Sequence, residues 1–411
     1  MQLYSHALES IFSFLPLSGL ANVLAVSRTW AASVEKMRSI GATLSVLSSP
    51  GNWSLENMCE SRLARHVGEI NSSGQRYKPY LTQQDLSLVG LRMTKLHTLD
   101  VMLCAPFIYP ALFPPSLTHL ALEFSETLSA SSANVVMEAI ANIPGLISLE
   151  LINRYPTCEK FVILAPLRRS TCLQALRLMS FNVTDAETID DIRAIPDLKR
   201  LNHHINQKTL RLLLRAPHQL QLRSLDVGSL DAEDARMLAS LPLLSKLCVL
   251  EANDLDFLGL LPNLEVLHLF LPGPLVLPAG VFIGSKIVEL HVSHSSRTSS
   301  DLQSFLSRLP SLETLSLTEL YELDSLGFLT ACPRITTLEL NTCRNPILRS
   351  SELAHIFSLR ELTRLVLVQF TCEPLNSSTL HEFRLRSERL PKLVEVHFQP
   401  PRVSPDRTWT Y

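Results

Sequence analysis

The pattern Leu-x-x-Leu-x-Leu recurs thirteen times along the 411-residue chain. Its first apolar residue falls at Leu96, Leu117, Leu146, Leu173, Leu198, Leu222, Leu244, Leu264, Ile287, Leu312, Ile335, Leu362 and Leu393. Intervals run from 20 to 31 residues and average about 25, the length of one short supersecondary unit. A unit of that size cannot bury its own apolar face, so units must stack on one another. Self-similarity thus fixes the architecture before any local structure is considered.

Spacing within the pattern fixes the local geometry. In Leu149-Glu150-Leu151 and Leu315-Ser316-Leu317 the leucines stand two apart, so a strand turns both to one face and the residue between them to the other. Between strands, Leu302, Phe305, Leu306 and Leu309, and likewise Ile189, Ile192 and Ile195, have helical spacing. Thr184 with Glu187 and Thr379 with Glu382 have the spacing of a capping box and are expected to start return helices. Eight prolines stand two residues before a first leucine (Pro115, Pro144, Pro196, Pro242, Pro262, Pro310, Pro333, Pro391). Proline lacks an N–H and disfavours helix in its predecessor, so each ends a helix ahead of a strand.

Strand, helix, neighbouring strand gives a parallel sheet. Residues 86 to 400 therefore resemble the leucine-rich-repeat family, which implies an α/β solenoid with a parallel sheet on the concave face and helices outside. Where that family usually carries Asn or Cys three residues past the strand, this chain has Cys104, Cys343, Phe181, Phe370, Leu230 and Leu320, so no asparagine ladder forms. Cys104 and Cys343 are expected to be buried structural thiols.

Residues 1 to 44 follow another rule. Leu8, Ile11, Phe12 and Leu15 recur at helical spacing, and Val26, Trp30 and Val34 make a second face. Some forty residues are too few to bury both faces alone. The string Leu3, Leu8, Ile11, Phe12, Leu15, Pro16, Leu20, Val26, Arg28 and Trp30 resembles the F-box motif, with departures at Tyr4, His6 and Ala7. The resemblance implies a three-helix motif that docks on a Skp-type adaptor, and through it on a cullin, while the repeats hold a protein for ubiquitination. It assigns adaptor binding to Leu3, Leu8, Ile11, Leu15, Pro16, Leu20, Val26 and Trp30. The alternative, a repeat scaffold whose N-terminal residues cover the first repeat, stays open. Residues 45 to 85 read as a linker packing on the first repeat, with one helix from Leu55 to Ile70, and residues 401 to 411 as a tail.

Strand alternation assigns the concave face and candidate partner contacts: Asp100, Glu123, Glu150, Arg177, Asp226, His268, Phe270, His291, Glu339, Val366 and Val368. Val366 and Val368 read as an exposed apolar docking spot rimmed by charge.

Composition narrows the function classes. Hydrophobic residues make up 46% and charged residues 18% of the chain, and the net charge is −2 with no long single-sign run, so neither nucleic acid nor membrane is an expected partner. Eight scattered cysteines without Cys-x-x-Cys spacing fit a reducing cytoplasmic or nuclear location. The uncharged stretch from Ile11 to Ser27 competes as a secretory signal, but no Lys or Arg precedes it and Pro16, Gly19 and Asn22 interrupt it. No phosphate loop or nucleophile elbow occurs, and His268, His291 and His397 read as separate surface histidines. Neither catalytic residues, nor a metal, nor a cofactor is expected.

Overall fold

A computed structural model describes Ile40–Ala42, Cys59, residues 64–70 and most of 80–399. Within the last range it leaves out 105–106, 109–112, 126–127, 154–163, 182, 184, 216–219, 252–254, 271–284, 294–298, 320–322, 324, 342–349, 369–389 and 391. Leu3 to Trp30, to which the resemblance assigns adaptor binding, lie outside the described residues, as do Thr379 with Glu382, Cys343, Phe370 and Leu320. The chain divides into two compact units, Met1–His203 and His204–Tyr411.

In the first unit the strands are β1 (Ile40–Ala42), β2 (Val67–Ile70), β3 (Tyr80–Leu81), β4 (Thr98–Leu103), β5 (His119–Phe124), β6 (Ser148–Asn153), β7 (Ala175–Met179) and β8 (Arg200–Ile205). All the pairings are parallel, in the order β1-β2-β4-β5-β6-β7-β8, with β3 beside β4. The helices are α1 (Gln83–Arg92), α2 (Ala130–Ala141) and α3 (Ala186–Arg193). Strand β2 corrects the expected helix across Leu55–Ile70. Its Val67 and Ile70 are buried, and pairing with β1 and β4 satisfies backbone groups that a helix here would turn away from the sheet.

The second unit carries α4 (Gln207–Leu213), β9 (Ser224–Ser229), α5 (Ala232–Leu238), β10 (Lys246–Glu251), β11 (Val266–Phe270), β12 (Glu289–Ser293), α6 (Ser299–Leu306), β13 (Thr314–Thr318), β14 (Thr337–Asn341), α7 (Ser350–Phe357), β15 (Arg364–Val368) and β16 (Glu395–Gln399). Each strand from β9 to β16 pairs with the next, again in parallel. Short 3-10 turns at Asp256–Leu260 and Gly327–Ala331 replace the return helix in two repeats.

The leucine pattern becomes two buried rows. Leu225, Leu247, Leu267, Leu290, Leu315, Leu338 and Leu365 stand opposite one another and are fully buried. Two residues on, Val227, Val249, Leu269, Val292, Leu317, Leu340 and Leu367 form the second row. Burying each such side chain contributes roughly 1.5–3 kcal/mol. On the return side, Leu302, Phe305, Leu306 and Leu309 are buried, as their spacing predicts.

Backbone bonds do what an asparagine ladder does elsewhere. At the entry to β5 through β8 and β10 through β16 two consecutive N–H groups donate to one carbonyl of the preceding repeat. Glu265 and Val266 donate to Ser245, Val288 and Glu289 to Glu265, Glu313 and Thr314 to Val288, and Thr336 and Thr337 to Glu313. The hydroxyls of Thr118, Thr336 and Thr363 donate across the same joints. Several first leucines also donate their N–H three residues back, as in Leu244 to Leu241, Leu264 to Leu261 and Leu312 to Leu309. Pro242, Pro262 and Pro310 therefore stand second in a β-turn, where the proline ring's fixed φ suits the backbone. The prolines shape the turn into the strand as well as ending the helix.

The cap of α3 is Asp185, whose carboxylate accepts from the Thr188 N–H at 2.7 Å, so the expected start at Thr184 moves one residue on. A carboxylate there answers both the free N–H and the positive end of the helix. Thr82 and Asp85 form the reciprocal capping box at α1. In the second unit Arg211 on α4 donates from Nε to Asp234 Oδ1 at 2.8 Å and from Nη2 to Asp231 at 3.0 Å, holding the start of α5. Asp234 is fully buried. Arg211→Ala strands that carboxylate away from its partner, so it is expected to lower the urea midpoint clearly. Arg177→Ala, which removes only the exposed pair with Glu150, is expected to leave the midpoint unchanged.

Candidate functional site

Residues between the two buried rows point away from the core and form an outward strand face. In the first unit Asp100, Ala121, Glu150, Arg177 and Asn202 lie in one row across β4 to β8. Arg177 reaches Glu150 at 3.4 Å. In the second unit Asp226, Cys248, His268, His291, Ser316, Glu339 and Val366 make the equivalent row. Phe270 and Val368 are half-buried, in the next outward row, separated by β12, β13 and β14.

Two candidate contacts are corrected. Glu123 is only 6% exposed, flanked in register by Met102 and Ile152, so it is not presented to a partner. Val366 is 9% exposed and Val368 half-buried, so no open apolar spot forms there. Arg364, two residues before Val366 on the same face, bonds both Glu339 and Glu395 and spans the strands beside it. Val366 stands in register between Glu339 and His397 on the neighbouring strands. Cys104 is half-buried, its thiol 3.8 Å from the Leu81 carbonyl, with burial raising its pKa.

The strongest clustering of chemistry lies on β11 and β12. His268 and His291 occupy the same place in consecutive repeats, each between two buried aliphatic residues, and the parallel register sets them opposite each other. Their ring centroids are 4.1 Å apart, tilted by 36°. Glu289 stands two residues before His291, on the same face, with Oε1 2.7 Å from His291 Nε2. Ligand atoms of these three residues all lie within 4.8 Å of one another. His268 Nε2 is shielded from solvent and meets no hydrogen-bond partner among the described residues.

Burial pushes the His268 pKa down to about 4, with His291 and Lys246 acting in the same direction and Glu289 against them. At neutral pH the ring is uncharged and keeps a nitrogen lone pair. On β10, opposite His268, burial raises the Cys248 thiol to about 11, helped by Asp226, so it stays protonated. Reading the three histidines one at a time missed this pairing. The signal was their shared offset from Leu264 and Ile287, the first apolar residues of successive repeats.

The register defines the class: one strand per repeat, all pairings parallel, two aliphatic rows inside and a polar face outside, which is a leucine-rich-repeat fold. No protein-family description matches the sequence, and no curated protein matches it. Among solved structures it is similar to an internalin from Listeria monocytogenes, at 16% identity over 93% of this chain and 95% of that one, with a TM-score of 0.37. A leucine-rich-repeat protein from Leptospira interrogans matches at 16% identity over 93% and 88%, with a TM-score of 0.41. The chain of a TLR13–ssRNA13 complex matches at 15% identity over 84% and 57%, with a TM-score of 0.47. Among the described residues no helix is long and apolar enough to cross a membrane.

Proposed function

We propose that this chain works by binding and not by catalysis: the outward strand face receives a partner protein, and the N-terminal segment ties that partner to a ubiquitin ligase. The observation that carries the first half is the register itself. Parallel strands align their outward residues in rows, leaving Asp100, Glu150 and Arg177 in one unit and Asp226, Phe270 and Glu339 in the other at least partly open to solvent. Partly exposed charge with an aromatic side chain among it is the composition of a protein interface.

The second half rests on the resemblance of residues 3–34 to the F-box. An apolar helical face that its own segment is too short to cover suits a partner's groove, with Leu15, Pro16, Leu20, Val26 and Trp30 as anchors. On this reading the chain is the substrate-recognition subunit of a cullin-type ligase, acting where disulfides are reduced. Tyr4, His6 and Ala7, which depart from the motif, favour the second reading, a repeat scaffold without a ligase link. Purified full-length chain mixed with a purified Skp-type adaptor separates the two. Stoichiometric co-elution on gel filtration is expected, and its absence with folded wild-type protein selects the scaffold.

A further inference from the structure

We infer that His268, Glu289 and His291 form a three-ligand site for a borderline divalent cation of the zinc type, set on the outward strand face of the second unit. Two imidazole nitrogens and one carboxylate oxygen make a ligand set suited to zinc, with a fourth position left for water or a partner's side chain. The three donors sit on two hydrogen-bonded strands in fixed register, a firmer support than a loop. Their separations, 2.7 Å between His291 and Glu289 and none above 4.8 Å, bracket the roughly 3.3 Å between ligands that Zn–N and Zn–O bonds near 2.0–2.1 Å require. Soft terminal torsions of the imidazole and carboxylate adjust the donors to that spacing.

Hydrogen bonding favours the same assignment. Glu289 Oε1 lies 2.7 Å from His291 Nε2, whereas the shielded Nε2 of His268 has no partner among the described residues. An ion between the strands would engage that nitrogen and take the place of the hydrogen between His291 Nε2 and Glu289, the His291 N–H moving to Nδ1. The Glu289 carboxylate offsets part of the ion's charge. Lys246, in the neighbouring outward row on β10, opposes it.

The test uses full-length protein freed of metal with a chelator, dialysed, and titrated with Zn²⁺ in a calorimeter, while Co²⁺ reports geometry by its visible d–d absorption. Wild type is expected to bind one equivalent and to give a tetrahedral Co²⁺ spectrum. His268→Ala and Glu289→Gln are each expected to weaken Zn²⁺ binding at least about tenfold, since even partners behind the ligands are worth that much. His268→Ala/His291→Ala is expected to remove the saturable isotherm. Glu289→Gln, nearly isosteric, keeps the measurement decisive should an alanine variant lose its circular dichroism. Absence of saturable binding to folded wild type, or equal affinity in wild type and Glu289→Gln, overturns the assignment.

Discussion

Leu244→Ala is expected to lower the unfolding free energy by about 2–5 kcal/mol, while Leu243→Ala, one residue earlier, changes it by no more than about 0.5 kcal/mol. The two residues differ only in their place in the pattern. Leu244 is the first leucine of its repeat, 4% exposed, and its N–H closes the turn through Pro242 onto Leu241. Leu243 is 44% exposed. Truncating Leu244 opens a cavity between repeats that are close-packed and cannot fully collapse. In a stacked array each repeat contacts mainly its neighbours, so the loss should fall locally. Urea unfolding gives the size of the effect, and hydrogen exchange its place: faster exchange is expected across β9, β10 and β11. Equal effects from the two leucines would show that the pattern does not set the core.

Leu15→Ala/Trp30→Ala is expected to weaken binding to a Skp-type adaptor at least about a hundredfold. Central aliphatic and aromatic anchors commonly contribute 2 kcal/mol or more each, and every 1.4 kcal/mol is a factor of ten. Surface plasmon resonance with immobilised adaptor reads this directly. On the scaffold reading, neither wild type nor variant binds, and the same double substitution is seen only as lost stability.

How far the sequence reaches depends on which force decides. Burial of a large aliphatic side chain in a parallel strand is local and periodic, so Leu315 and Leu317 could be placed inside from spacing alone, and both are buried. Helix faces were equally legible, because Ile189 and Ile192 or Leu302 and Phe305 share a side only in one conformation. Caps were less so: Thr184 and Asp185 both satisfy the rule, and the stronger acceptor took the position. The helix expected to Ile70 failed because the partner strands of Val67–Ile70 lie at Ile40 and Thr98, too far along the chain for a local pattern to register.

The candidate face was legible in outline and not in exposure. Alternation turned Glu123 and Val366 away from the core, yet both are buried, beside register neighbours that stand about a full repeat away. The pairing of His268 with His291 has the same origin. Each alone is an ordinary histidine, and only the register between repeats gives the two one environment.

The measurement that bears most directly on the bridging role is affinity purification with mass spectrometry from cells expressing tagged wild type or the Leu15→Ala/Trp30→Ala variant. Adaptor and cullin peptides are expected with wild type and lost with the variant, while partners held by the repeats persist in both. Recovery of repeat-bound partners without adaptor or cullin from wild type would contradict the account.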